Sequence, residues 1–106
     1  MRTIENICND LNIEYKKDLY LDNDLCHYEG IIKNNTLLVK RKSLDTNLNK
    51  NSYELYVVYD NLYIKCLFDT EDSLNLMYTY LNKNNYSKIL ELSNINEILE
   101  FHVELL

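Results

Sequence analysis

The sequence predicts an α+β fold: an antiparallel sheet of four to five strands, formed by two consecutive hairpins, with helices packed mainly on one face. Three observations carry this expectation. From Leu25 the apolar positions recur with a period of two; Leu74, Met77, Tyr78 and Leu81 recur at helical spacing; and the turns use Asn and Asp, since the chain has one Gly and no Pro. The chain has 106 residues. It is expected to form a single compact domain over 1–106, of radius of gyration roughly 13 Å, burying about 60 to 68% of its unfolded surface.

Taken in order, Thr3 is placed to cap a short helix whose apolar face is Ile4, Ile7, Cys8 and Leu11, with Glu5 favourable in the first turn. Two turns of helix need tertiary packing to persist. Residues 13 to 24 are ambiguous: Ile13, Tyr15, Leu19 and Leu21 suit an extended edge segment, and Asp22-Asn23-Asp24 reads as a turn. With Asn34-Asn35 as a two-residue turn, Ile32 faces Leu37, Gly30 faces Val39 and Tyr28 faces Arg41, while on the other side Glu29 faces Lys40. Residues 43 to 52 read as a polar loop. With Asp60-Asn61 as the second turn, Tyr59, Val57, Leu55 and Tyr53 face Leu62, Ile64, Cys66 and Phe68, an entirely apolar or aromatic face. The opposite face pairs Val58 with Tyr63, Tyr56 with Lys65 and Glu54 with Leu67, and is expected to be open to solvent or to form an interface.

Asp69 or Thr70 is placed to cap a helix over about 70 to 83, with Glu71 and Asp72 at its positive end. Tyr86 to Leu92 alternates as a fifth strand. Beyond Ser93 the spacing favours a helix that turns extended after about Glu100, although Phe101, Val103 and Leu105 alternate like a strand.

Composition narrows provenance and partners. Ala, Gln, Pro and Trp are absent and Asn, Ile, Lys, Leu and Tyr abundant, the bias that an AT-rich genome imposes by itself. Ten tyrosines are therefore weak evidence for a recognition surface, and the host expected is a low-GC bacterium, its phage or another mobile element. The net charge of −6 argues against direct nucleic-acid binding, which rests on phosphate neutralisation. The Lys40-Arg41-Lys42 island interrupts this acidity and reads as a solvated strand end. Three scattered cysteines without CxxC read as reduced thiols of a bacterial cytoplasmic protein, and no run of eighteen apolar residues suggests a membrane span.

Catalytic constellations are poor, and no enzyme is expected. Gly30 lies mid-strand, so no phosphate-cradling loop is available. Cys26 and His27 alternate to opposite faces of a strand, which suits neither thiolate activation nor a shared metal, and no cofactor or metal is expected. Asp18 to Asp24 resembles half of a calcium loop but lacks its glycine and closing Glu.

What remains is binding by surfaces. Candidate partner-binding residues are Glu54, Tyr56 and Tyr63 on the second hairpin, Asp18, Asp22 and Asp24 around a turn, and Glu97, Glu100 and Glu104 along a C-terminal helix face. Carboxylates beside tyrosines can imitate phosphates and bases, with opposite charge steering encounter. In size, acidity and lack of catalytic machinery the chain is similar in kind to phage-encoded anti-CRISPR and anti-restriction inhibitors. That likeness implies a protein partner, such as a basic nucleic-acid-binding effector nuclease, inhibited by mimicry or by blocked movement. A toxin-neutralising immunity or antitoxin protein, or a small cysteine- or metal-dependent enzyme, is the alternative, and a homodimer through the sheet face is a further expectation.

Overall fold

The computed structural model describes residues 3–15, 19–22, 26–33, 36–59, 61–83, 89 and 98–105. In chain order its elements are α1 (Ile4–Asp10), β1 (Leu19–Asp22), β2 (Cys26–Lys33), β3 (Thr36–Asp45), β4 (Lys50–Tyr59), β5 (Leu62–Phe68), α2 (Glu71–Lys83) and β6 (Ile98–Leu105). All pairings are antiparallel, and the spatial order of the six strands is their chain order. The radius of gyration is 13.0 Å.

The two hairpins have the registers that turn chemistry and facing predict. Ile32 lies opposite Leu37, Gly30 opposite Val39 and Glu29 opposite Lys40; Val57 lies opposite Ile64 and Leu55 opposite Cys66. The turn residues 34–35 and 60 lie outside the described residues, as do Asp18, Asp24, most of the expected strand at 86–92 and its successor helix cap at Ser93.

Both helices begin as expected. Thr3 Oγ1 accepts from the Asn6 amide at 3.1 Å, and Thr70 Oγ1 accepts from the Ser73 amide at 3.2 Å. Each helix then covers one face. On the first, Leu74, Met77, Tyr78 and Leu81 of α2 bury with Leu38, Leu55, Val57, Ile64, Cys66 and Phe68. On the second, Ile7, Cys8 and Leu11 of α1, with Ile13, bury with Tyr28, Leu37, Val39, Tyr56, Val58 and Tyr63. The expected placing of helices mainly on one face is met by α2 alone. The second face, expected to be open or an interface, is largely core because α1 lies across it.

Two other expectations are corrected. Residues 43–52 are not simply a loop: β3 runs on to Asp45 and β4 starts at Lys50. Only 46–49 turn, where Asp45 Oδ1 accepts from the amides of Asn47 and Leu48 at 3.0 and 3.2 Å and Asn49 takes a φ of 49°. The C-terminal segment is a strand from Ile98 instead of a helix to about Glu100, because Phe101 and Val103 pair with Cys66 and Ile64 of β5. A bulge at Leu67/Phe68 absorbs the offset.

Candidate interaction surface

The alternation of β3, β4 and β5 builds a polar cluster into the α1 face. Arg41 lies opposite Glu54 in the ladder, and its guanidinium stands 3.5 Å from the Glu54 carboxylate. The same carboxylate accepts from Ser52 Oγ at 3.0 Å and from the Tyr56 hydroxyl. Arg41 also donates to Cys26 Sγ at 3.4 Å and to the Tyr56 hydroxyl at 3.5 Å, and lies over the Tyr28 ring at 5.4 Å. Burial works against the Arg41 charge, but the hydrogen bond to Cys26 and the neighbouring Glu54 outweigh it and hold its pKa above the ordinary value. Burial, with the hydrogen bond to Cys26 second, pushes the Tyr28 hydroxyl up to about 12. The cluster is a satisfied interior network.

The predicted site residues divide accordingly. Glu54 is 8% exposed, Tyr56 3% and Tyr63 8%, and the two rings stack at 6.1 Å between centroids. Burial removes these three from any open binding surface, Tyr56 and Tyr63 in the cluster that α1 completes and Glu54 beside them in β4. For Asp22 only its place in β1, opposite His27, is described, and Glu97 lies outside the described residues. Glu100 and Glu104 do share a face, but along a strand and with His102 between them, since 100, 102 and 104 alternate with Phe101, Val103 and Leu105. His102 Nε2 lies 2.9 Å from Glu104 Oε1.

The basic island is also reassigned. Lys40 and Lys42 point to α2, where Lys40 Nζ donates to Asn75 Oδ1 at 3.0 Å, lies over the Tyr78 ring and pairs with Glu29 at 3.3 Å. Lys42 pairs with Glu71 at 3.2 Å. Alternation sends Arg41 alone into the opposite face, so the expected solvated strand end ties sheet to helix.

The residues that sequence reasoning missed lie on β6. Leu105 is 82% exposed, Leu99 63% and Val103 39%, on a strand whose pairing with β5 leaves its other edge without a strand neighbour among the described residues. Beside it, Leu48, Tyr53, Leu67, Phe68 and Leu99 line a groove of about 180 Å³. The alternation of residues 101, 103 and 105 was the signal for this edge. It lost to the helical spacing of Ile95, Ile98, Leu99 and His102.

No family model matches the chain, and no solved structure matches it. Among curated proteins it is similar to the mitochondrial inner membrane magnesium transporter MIT1 of Plasmodium berghei (strain Anka), 32% identical over a 112-residue alignment. The alignment takes in 94% of this chain and 26% of that protein, so the chain spans about a quarter of the length of the curated relative it matches. A relative in the mitochondrial inner membrane of a eukaryote overturns the expected phage or mobile-element origin, the anti-CRISPR or anti-restriction function and the bacterial cytoplasmic location. The reason is physical: codon bias reports the base content of a genome, which does not separate bacterium from eukaryote. Smallness and acidity likewise identify no partner.

Proposed function

We propose that this domain is a non-enzymatic protein-binding module that takes up an extended segment of a partner along the outer edge of β6. The observation that carries it is an eight-residue edge strand whose apolar side chains Val103 and Leu105 are exposed while its other face presents Glu100, His102 and Glu104. At an edge with no strand neighbour among the described residues, main-chain amides and carbonyls supply affinity and alternate side chains supply selectivity. β1, at the opposite edge, has four described residues. The non-enzymatic part of the reading is supported by Cys26 and His27 lying on opposite faces and by the depth of the other thiols. Burial pushes Cys66 up to about 12, and burial with Glu5 beside it raises Cys8.

The test is selection of peptides on the intact chain from a random display library, followed by amide hydrogen exchange of the complex. Extended, β-prone peptides that protect residues 99–105 are expected. Protection confined to another element would sink the reading.

The likeness to the magnesium transporter favours a second reading, in which the domain is an extramembrane part of a transport protein. Its described helices have 7 and 13 residues, and neither is long and apolar enough to cross a membrane. A magnesium titration followed by tyrosine fluorescence separates the readings. A saturable change at millimolar ion favours the second, and an unmoved spectrum with peptide bound at β6 favours the first.

A further inference from the structure

We infer that the segment bound along β6 is the β6 strand of a second copy of this chain, running antiparallel about a two-fold axis at Val103. The inference rests on the reading of β6 as the docking edge and adds the identity of its occupant.

Directly opposed residues of an antiparallel pair must both point their backbone groups toward the partner or both away. In a strand paired with its own copy, the two residue numbers therefore add to an even constant, and few registers fit the short regular part of β6. Centring the pair on His102 sets Glu100 against the partner copy's Glu104 twice, opposing carboxylate to carboxylate. Centring it on Phe101 draws Leu99 into the ladder, where the bulge opposite Leu67/Phe68 breaks the alternation. Centring it on Val103 uses only residues 101 to 105, which pair regularly with β5.

That last register is self-complementary in both hydrogen bonding and shape. On the α1 face His102 meets Glu104 of the second copy twice over, extending the contact already present at 2.9 Å within each strand. On the α2 face Phe101 meets Leu105, Val103 meets Val103, and Leu105 meets Phe101, so that a residue 82% exposed in the single chain gains an aromatic neighbour. Two-fold symmetry requires the same surface on both sides, and this strand supplies it. The result is one continuous sheet of twice six strands with its β6 edges closed.

The experiment is sedimentation equilibrium of the whole chain, with site-directed cross-linking in a Cys26→Ser background. A monomer–dimer equilibrium is expected, weakened about tenfold or more by Leu105→Lys. Leu105 is exposed, so thermal unfolding of the dilute variant should match that of the parent. Val103→Cys should form an intermolecular disulfide under mild oxidation, and His102→Cys should not, because only opposed residues come within about 7 Å between Cα atoms. His102→Glu should weaken the dimer, and His102→Glu with Glu104→His should restore it. A monomer at all concentrations that still binds selected peptides along β6 overturns this inference and leaves the docking edge standing. A dimer insensitive to Leu105→Lys, or cross-linked through His102→Cys, overturns the register and the axis. Failure of both peptide and second copy to engage β6 removes the underlying reading as well.

Discussion

Glu54 shows how a single carboxylate is kept inside a small protein. It is 8% exposed, and its oxygens accept from Ser52, Tyr56 and Arg41. Replacing it by Ala removes the carboxylate that faces the Arg41 guanidinium and accepts from two hydroxyls, and the expected loss is about 1–3 kcal/mol in urea unfolding. Lys42 is the contrasting case. Its pair with Glu71 is about half in water, so Lys42→Ala should change stability by less than about 0.5 kcal/mol. The three thiols separate on the same principle of access. Cys8 and Cys66 are buried, whereas Cys26 is half-buried beside Arg41. Titration of the native protein with an aromatic disulfide should show one fast thiol, and Cys26→Ser should abolish that phase while leaving the slow ones.

Among the elements, the β2–β3 hairpin depends on its glycine through space and not through φ. A Cβ at residue 30 would sit 2.8 Å from Val39 Cγ2 and 3.0 Å from the Leu38 carbonyl oxygen. Gly30→Ala is expected to cost about 1–3 kcal/mol, and Val39→Ala should recover part of that loss when the two are combined, measured as a double-mutant cycle. The hairpin registers were legible because two independent constraints, turn chemistry and the apolar facing of Val57 with Ile64 or Leu37 with Ile32, had to agree. The helices were legible because Leu74, Met77, Tyr78 and Leu81 share one stripe and Thr3 and Thr70 can cap. β6 was misread for a definable reason. A strand that receives half its meaning from Ile64 and Cys66 of β5 carries no local mark of that partner, and Ile95, Ile98 and Leu99 mimic helical spacing. The hairpin part of the candidate surface, Glu54, Tyr56 and Tyr63, failed at the same step. Period two divides Tyr56 and Tyr63 from Tyr53 and Tyr59, but it does not say that α1 returns to cover the second face. Burial on both faces belongs to the packing of distant elements.

For the whole molecule, burial of acidic hydrogens sets the alkaline limit. Tyr28 goes from 10.0 in water to about 12 in the fold, and Cys66 from 9.0 to about 12. A raised folded value means that the proton is held more tightly in the native state, so the stability it contributes is complete below the unfolded value and is lost as pH rises toward the folded one. The urea midpoint should be flat near neutrality and fall between about pH 9 and 12, with Tyr28→Phe removing part of the fall. The meander has a separate consequence in time. From β1 to β5 each strand pairs with its immediate chain neighbour, so each step closes a short loop and the conformational search stays local. The return of β6 is different, because its start at Ile98 stands far along the chain from the end of its partner β5 at Phe68, with α2 between them. Its pairing therefore closes the longest loop and is expected to come last in refolding. Substitutions at Val103 should accelerate unfolding and leave the refolding rate nearly unchanged, whereas substitutions at Val57 or Ile64 slow refolding. The edge that is last to join the sheet is then the first to let go.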